Sequence, residues 1–185
     1  MLKLKTDFSR RLLMLTAMPT ATAQVSTQYR FLVIGYGNEQ RGDDAVGPKV
    51  AKAVADWQLP SVKPIAVHQL TPALAADIAA AEYVIFVDAC GERCAQTVQL
   101  DPIVVGSQVP NTVSSSTHSC SPWALLNLTR RIYGRHPQSW LLQVATERYN
   151  LGDPLSSTAV DGCDRALRKI EQFLKTYQRP TWQPA

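Results

Sequence analysis

The sequence predicts an α/β fold: a three-layer α/β/α sandwich with a mostly parallel sheet of about five strands and helices on both faces. Short, continuous apolar runs such as Phe31–Ile34 and Tyr83–Val87 are typical of strands that are buried on both faces. Helical stretches alternate with these strands, as they do in folds built from β-α-β units. The length of 185 residues, of which 45% are apolar and 18% charged, suits one such domain.

Five elements are predicted in the first half of the domain, and they alternate between strand and helix. They are a strand at Phe31–Ile34, a helix from Asp43 to Trp57, a strand at Val62–Leu70, a helix from Thr71 to Ala80 and a strand at Tyr83–Val87. The first helix is predicted from apolar residues at helical spacing, among them Val46, Val50 and Val54. The second is predicted because Thr71 is a cap residue and Pro72 stands at the first helical position.

The second half is predicted to continue this alternation after an irregular segment. The predicted elements are an edge strand at Thr97–Val105, a loop over residues 106–120, a helix from Trp123 to Tyr133, a strand at Trp140–Thr146 and a helix from Ser156 or Ser157 to about Tyr177. Ser121 and Pro122 begin the third helix, and Gly134 ends it. The last helix is amphipathic, and four of its apolar residues are expected to face inward: Val160, Leu167, Ile170 and Leu174.

Residues 29–178 are predicted to form a single domain, followed by a flexible C-terminal tail at residues 179–185. Residues 1–28 superficially resemble a signal peptide, since two arginines precede a short apolar run. Thr16 and Pro19 interrupt that run early. A disordered N-terminal extension is therefore the favoured interpretation.

The charge balance argues against a nucleic-acid partner. The chain has 19 basic and 15 acidic residues, a formal charge of +4. Residues 1–30 carry five basic residues and one acidic residue, so residues 31–185 carry 14 of each sign and are neutral. The excess belongs to the N-terminal segment and not to a binding face. We also expect no membrane partner, because no apolar run in the sequence is long enough for a spanning helix.

The cysteines predict a reducing environment. There are four of them, at Cys90, Cys94, Cys120 and Cys163, and they are too few and too scattered for a small secreted disulfide scaffold. Cys90 and Cys94 lack the spacing of a zinc knuckle or a thioredoxin motif. We therefore expect reduced cysteines and a cytoplasmic protein.

Polar residues gather at the ends of the predicted strands, where ligands bind in open α/β sheets. A polar segment between Gly35 and Asp44 follows the first strand, and Asp88 follows the third. His118 precedes the helix that begins at Ser121. His136 stands in a predicted turn, and we expect it to be an ordinary surface residue.

Gly35 and Gly37 after a strand first suggest a dinucleotide site. That fingerprint requires a third small residue where this chain has Gln40. Asp43 and Asp44 would also place negative charge against a pyrophosphate at the helix N-terminus. A nucleotide site is therefore disfavoured.

A metal site fits the same residues better. Asp44, Asp88 and His118 are two carboxylates and one imidazole, which suit a divalent metal, and three protein ligands leave coordination positions open. Two other interpretations stay open: Asp44 as an ordinary helix cap, and His118 as a loop histidine bonded to neighbouring Ser or Thr. From the residues alone, the prediction stops at a polar, metal-binding cleft.

The segment Ile34–Gly47 resembles the [NiFe]-hydrogenase maturation proteases, the endopeptidases that remove a C-terminal extension from the hydrogenase large subunit. The family pattern is a strand, G-x-G-N, four residues, an acidic pair, a small residue and a glycine, and here Ala45 stands where glycine is commoner. The resemblance covers residues 31 to about 177. It continues at three later places: Val87–Ala89, His118 and Leu155–Ser156.

This resemblance implies that Asp44, Asp88 and His118 are catalytic and bind metal, the metal being nickel already inserted in the substrate. The implied partner is the large-subunit precursor, and we expect no tightly bound cofactor. The implied activity is that of a peptidase of the aspartic-type or metal-dependent class, and we expect it to act as a monomer. Three further residues are expected to contact the metal ligands without binding the metal themselves: Asn38, Asp43 and His68.

The segment His68–Pro72 resembles the branch of this family that serves bidirectional, NAD-linked hydrogenases. Two functions of other classes stay open at this point. One is a nickel-sensing chaperone or binding module that does not cleave. The other is a phosphorylase-like α/β enzyme that shares only the fold.

Overall fold

A five-stranded sheet forms the centre of the protein. The computed structural model describes residues 28–91, 94–106 and 120–178. The strands are β1 at Tyr29–Tyr36, β2 at Val62–Val67, β3 at Ala81–Cys90, β4 at Val98–Ile103 and β5 at Gln138–Ala145. They lie in the order β2-β1-β3-β5-β4, and every neighbouring pair is parallel except β4 with β5. The predicted mostly parallel sheet is confirmed, and β4 is its predicted edge strand.

Helices cover both faces of the sheet, as predicted. They are α1 at Val46–Asp56, α2 at Ala75–Ala79, α3 at Pro122–Tyr133 and α4 at Ser157–Tyr177, and short 3-10 turns precede α1 and α2. The helices α1 and α4 pack on one face of the sheet, and α2 and α3 pack on the other. In the part of the chain that the structure describes, no helix is long and apolar enough to cross a membrane.

The side chains of β1 alternate between the two apolar cores. Phe31 and Val33 belong to the core beneath α1 and α4, whereas Leu32 and Ile34 belong to the core beneath α2 and α3. Because of this alternation, Tyr36, the last residue of β1, lies on the same face as Ile34 and packs against that second core.

The amino ends of the parallel strands are closed by aromatic packing. Three aromatic residues lie near the starts of β1, β3 and β5: Phe31, Tyr83 and Trp140. They stack with Phe173 and Tyr177 of α4, with neighbouring ring centroids 4.4–6.2 Å apart. The amino ends of the parallel strands are therefore filled with apolar side chains. The polar residues that follow the strands lie at the carboxyl ends.

Three local expectations are wrong. The strand β2 ends at Val67 and not at Leu70, and Thr71 makes no side-chain cap hydrogen bond. Val160 was expected to face inward, but its side chain is 49% exposed. The inward face of α4 begins instead with small residues, since a Cβ added at Gly162 would lie 2.4 Å from Val144 Cγ1 and the helix there approaches the sheet closely.

Candidate functional site

The candidate site lies at the point in the sheet where successive strands are added on opposite sides of β1. From β1 the chain proceeds to β2 on one side and then to β3 on the other, so a crevice opens between the carboxyl ends of β1 and β3. Asp44 lies in the 3-10 turn that follows β1, and Asp88 lies near the end of β3. The negative charge of Asp44 raises the pKa of Asp88, which shows that the two carboxylates share one electrostatic environment. The structure thus brings together these two predicted site residues.

Asp44 is held by the turn that leaves β1. The Asn38 N–H donates a hydrogen bond to Asp44 Oδ2 at 2.8 Å, and the Asn38 side chain accepts one from the Gln40 N–H at 2.9 Å. Gly37 has φ of 143°, and a Cβ there would lie 2.0 Å from the Asp44 carbonyl oxygen. Only glycine fits this position, which explains the second glycine of the motif.

Asp88 is held by a tyrosine of the neighbouring strand. The hydroxyl of Tyr36 donates a hydrogen bond to Asp88 Oδ2 at 2.8 Å. The two side chains meet because Gly35 of β1 is in register with Val87 of β3, so the next residue of each strand lies on the same face. Our sequence analysis missed Tyr36, although its place at the end of the first strand was a signal that could have found it.

The environment of Asp88 favours its protonated form. Burial raises the pKa of Asp88 to about 7, and the charge of Asp44 adds to the rise, while the hydrogen bonds from Tyr36 and from the Ala89 backbone oppose it. A carboxyl group that titrates near neutral pH beside a second carboxylate is typical of a site that binds a cation or transfers a proton.

Asp43 has a different role from its neighbour. Its side chain is fully buried and accepts hydrogen bonds from the Glu147 N–H (2.7 Å), the Arg148 N–H (3.0 Å), the Ser156 N–H (2.6 Å) and the Ser156 hydroxyl (2.7 Å). Burial alone would raise the pKa of Asp43, but these donors outweigh it, and the pKa lies below its usual value. Asp43 thus fastens the segment after β5 to the turn that carries Asp44.

Tyr149 is a second residue that sequence analysis missed. It lies on the segment fastened by Asp43, and its hydroxyl is hydrogen-bonded to the Thr146 hydroxyl. The pKa of Tyr149 is raised by burial, and the charges of Asp44, Asp88 and Asp43 raise it further. The hydroxyl of Tyr149 is therefore close enough to the three aspartates to respond to their charge. No local sequence pattern marks it, because the segment is brought to the site only by the fold.

The three histidines lie in different places. His118 lies outside the described residues, and so does most of the predicted loop over residues 106–120. His68 is exposed just after β2, and His136 is half-buried before β5, at the edge opposite the carboxylates. Within residues 28–91, 94–106 and 120–178, no three His, Cys, Asp or Glu side chains form a group that could hold a metal ion.

The expectation of reduced cysteines is wrong for one pair. Cys90, the last residue of β3, forms a disulfide with Cys94, and the two Cα atoms are 5.8 Å apart. Cys120 and Cys163 are free, and burial raises the pKa of both thiols. The pair was missed because its spacing belongs to no known motif, and the chain turns back on itself only after β3 has ended.

Solved structures of known proteins share this architecture. The sequence matches no protein-family model and no curated protein. The structure is similar to that of the [NiFe] hydrogenase maturation protease HycI from Thermococcus kodakarensis KOD1, with a TM-score of 0.61 and 23% identity over 79% of this chain and 92% of that one. It is also similar to an endopeptidase from Escherichia coli, with a TM-score of 0.65 and 24% identity over 80% and 94% of the two chains.

A third similar structure is the hydrogenase maturating endopeptidase HybD from Escherichia coli, with a TM-score of 0.60 and 21% identity over 80% of this chain and 94% of that one. The chain has the fold of the hydrogenase maturation proteases. The resemblance predicted from Ile34–Gly47 is thereby confirmed for the fold, while its assignment to the bidirectional branch stays a prediction.

Proposed function

We propose that the chain is an endopeptidase that removes the C-terminal extension of a [NiFe]-hydrogenase large-subunit precursor. Two findings support this: the fold shared with hydrogenase maturation proteases, and the family motif within residues 34–47. The observation that carries the proposal is the meeting of Asp44 and Asp88 at the crevice between β1 and β3. Each carboxylate has its Oδ2 atom held by an internal donor, the Asn38 N–H for Asp44 and the Tyr36 hydroxyl for Asp88.

The metal in this proposal is nickel that arrives as part of the substrate. Carboxylate oxygens and an imidazole are ligands that a first-row divalent ion accepts. Asp44 and Asp88 supply the oxygens, and we propose that His118 supplies the imidazole. His118 stands two residues before Cys120, whose N–H is hydrogen-bonded at 3.4 Å to the Leu70 carbonyl beyond the end of β2. Three protein ligands leave coordination positions for groups of the precursor.

Asp88 is the group that loses a proton when the substrate docks. With its pKa at about 7, part of the population carries a proton at neutral pH. A cationic centre bound between Asp44 and Asp88 displaces the proton and relieves the repulsion between the two carboxylates. Docking is therefore tighter for a precursor that contains nickel than for one that lacks it.

The direct test is to incubate the protein with precursor and weigh the product by mass spectrometry. The protein is first stripped with chelator and dialysed, and the same precursor is used before and after nickel insertion. We expect loss of the C-terminal extension from the nickel-loaded precursor and no cleavage of the nickel-free one. Efficient cleavage of nickel-free precursor by a protein carrying its own tightly bound zinc would contradict the nickel-dependent part. Binding of precursor without any cleavage would make the chain a nickel-sensing module.

The role of His118 is tested with a matched histidine. We expect His118→Ala to abolish processing, because the site loses its only imidazole ligand. His136→Ala is the control, since that side chain lies at the opposite edge of the sheet and contacts the Pro137 carbonyl. Normal processing by His118→Ala would remove His118 from the site.

The proposal has four further parts that rest on sequence alone. We propose that the protein acts in the cytoplasm, as a monomer, without a nucleic-acid or membrane partner. The segment His68–Pro72 supports service to a bidirectional, NAD-linked hydrogenase. Processing assays with precursors from that class and from another class would decide this last point, and equal rates would contradict it.

A further inference from the structure

Tyr36 donates its hydroxyl hydrogen to Asp88, and this contact is built into the sheet. Tyr36 and Asp88 lie on adjacent parallel strands, one residue beyond the pair formed by Gly35 and Val87. Both side chains point to the face covered by α2 and α3, where Tyr36 packs against the apolar core. The O–H···Oδ2 distance of 2.8 Å is that of a well-formed hydrogen bond.

The two carboxylates of the site are held in the same way from different donors. The Asn38 N–H occupies Oδ2 of Asp44, and the Tyr36 hydroxyl occupies Oδ2 of Asp88. Asp88 also accepts a hydrogen bond from the Ala89 backbone N–H. Each carboxylate therefore has at least one oxygen whose donor is fixed by the fold.

We infer that Tyr36 is a positioning residue that fixes the Asp88 carboxylate through Oδ2 and so orients it for a divalent ion. Without the hydroxyl, the carboxylate loses its side-chain donor and is less restricted about its last bond, and ordering it again on binding has a cost in free energy. The inference rests on the proposed function in so far as the ion is the substrate's nickel. The orientation of Asp88 itself does not depend on that function.

The structure contains a matched control on the same strand. Tyr29 begins β1, and its hydroxyl donates hydrogen bonds to the Asp77 carbonyl at 2.6 Å and to Asp77 Oδ1 at 3.2 Å. It is thus a second tyrosine of β1 bonded to an aspartate, but at the opposite end of the strand from the site. Tyr29→Phe and Tyr36→Phe each delete one oxygen, so a general loss of a tyrosine hydrogen bond affects both variants.

The test measures affinity for free Ni²⁺ by calorimetry on the metal-free, full-length protein. We expect Tyr36→Phe to weaken Ni²⁺ binding about tenfold, which corresponds to about 1.4 kcal/mol, and Tyr29→Phe to leave it unchanged. In an Asp88→Asn background, Tyr36→Phe should have no further effect, because the two residues act as one unit. A ¹³C NMR signal from the Asp88 carboxyl should broaden or shift in Tyr36→Phe and not in Tyr29→Phe.

Three outcomes would overturn the inference. They are wild-type Ni²⁺ affinity in Tyr36→Phe, an equal loss in both tyrosine variants, and a loss that persists in the Asp88→Asn background. Absence of Ni²⁺ binding by the wild-type protein would overturn it as well. Since no precursor is present in these measurements, failure of the proposed protease function would leave the result for Tyr36 intact.

Discussion

Asp43 and Asp44 are neighbours in the chain, yet one carboxylate is buried and hydrogen-bonded inside the fold and the other faces the crevice. Asp43 is fully buried and accepts four hydrogen bonds from the segment at residues 147–156. Asp44 faces the crevice and forms, with Asp88, a pair in which each carboxylate has fewer donors than Asp43: the Asn38 N–H for Asp44, and the Tyr36 hydroxyl and the Ala89 N–H for Asp88. We refer to Asp43 with its donors as the clamp, and to Asp44 with Asp88 as the carboxylate pair.

The two regions differ in how ionisation of their aspartates affects the stability of the fold. In the clamp, the donors hold the pKa of Asp43 below its usual value, so the ionised carboxylate stabilises the fold. In the carboxylate pair, burial and repulsion raise the pKa of Asp88 to about 7, so its ionisation destabilises the fold. Sites that bind or react retain such unfavourable arrangements, because function requires them.

The largest expected effect comes from breaking the clamp. Asp43→Ala leaves the N–H groups of Glu147, Arg148 and the buried Ser156 without their acceptor, and we expect a loss of about 3–5 kcal/mol in the free energy of unfolding. Urea denaturation at neutral pH measures it. The control is Asp56→Ala, an exposed position at the end of α1, where the change should stay within about 0.5 kcal/mol. Similar values for the two variants would show that Asp43 is no clamp.

The carboxylate pair should respond in the opposite direction. Asp88 has its pKa raised from 3.8 to about 7, so the native state holds a proton that the unfolded chain has released, and wild-type stability falls as pH rises from about 4 through about 7. Asn cannot ionise, and Asp88→Asn should therefore be more stable than the wild type at pH 8, by on the order of 2–4 kcal/mol, and close to it at pH 4. Urea denaturation of metal-free protein at both pH values measures this. A variant less stable than the wild type at pH 8 would contradict the comparison.

A smaller difference in stability is expected between variants of two helix-capping serines. Ser156 accepts a hydrogen bond from the Ala159 N–H at 3.0 Å and also donates to Asp43, whereas Ser121 only accepts, from the Ala124 N–H at 3.2 Å. We expect Ser156→Ala to cost about 2 kcal/mol and Ser121→Ala about 1 kcal/mol, because the first change also removes a donor from the clamp. Thermal or urea unfolding of both variants gives the difference. Equal losses would mean that the hydroxyl of Ser156 contributes nothing to the clamp.

The sequence alone predicted the layers of the fold and placed Asp44 and Asp88 after the first and third strands, where the structure has them. The apolar runs of β1 and β3 are unambiguous, and the residues that follow parallel strands must meet at one edge of the sheet. Tyr36 was also within reach of sequence reasoning, since adjacent strands in register place it beside Asp88. The sequence analysis named Asp44 as the ligand, but local sequence does not explain why Asp44 and not Asp43 faces the crevice.

That choice depends on partners far along the chain. The donors to Asp43 lie 104 to 113 residues away, on a segment without regular structure. The exposure of Val160 has a similar origin, because the close approach of α4 to β5 at Gly162 selects small residues for the inward face. The Cys90–Cys94 disulfide likewise depends on the turn after β3 and not on a spacing rule.

The central claim is that the carboxylate pair performs the reaction while the clamp only holds it in place. The most direct measurement is the mass of nickel-loaded precursor after incubation at pH 8 with equal amounts of wild-type protein or Asp88→Asn. We predict that the wild type removes the C-terminal extension and that Asp88→Asn leaves the precursor intact, although the variant is the more stable protein. Cleavage by Asp88→Asn at the wild-type rate would contradict the account.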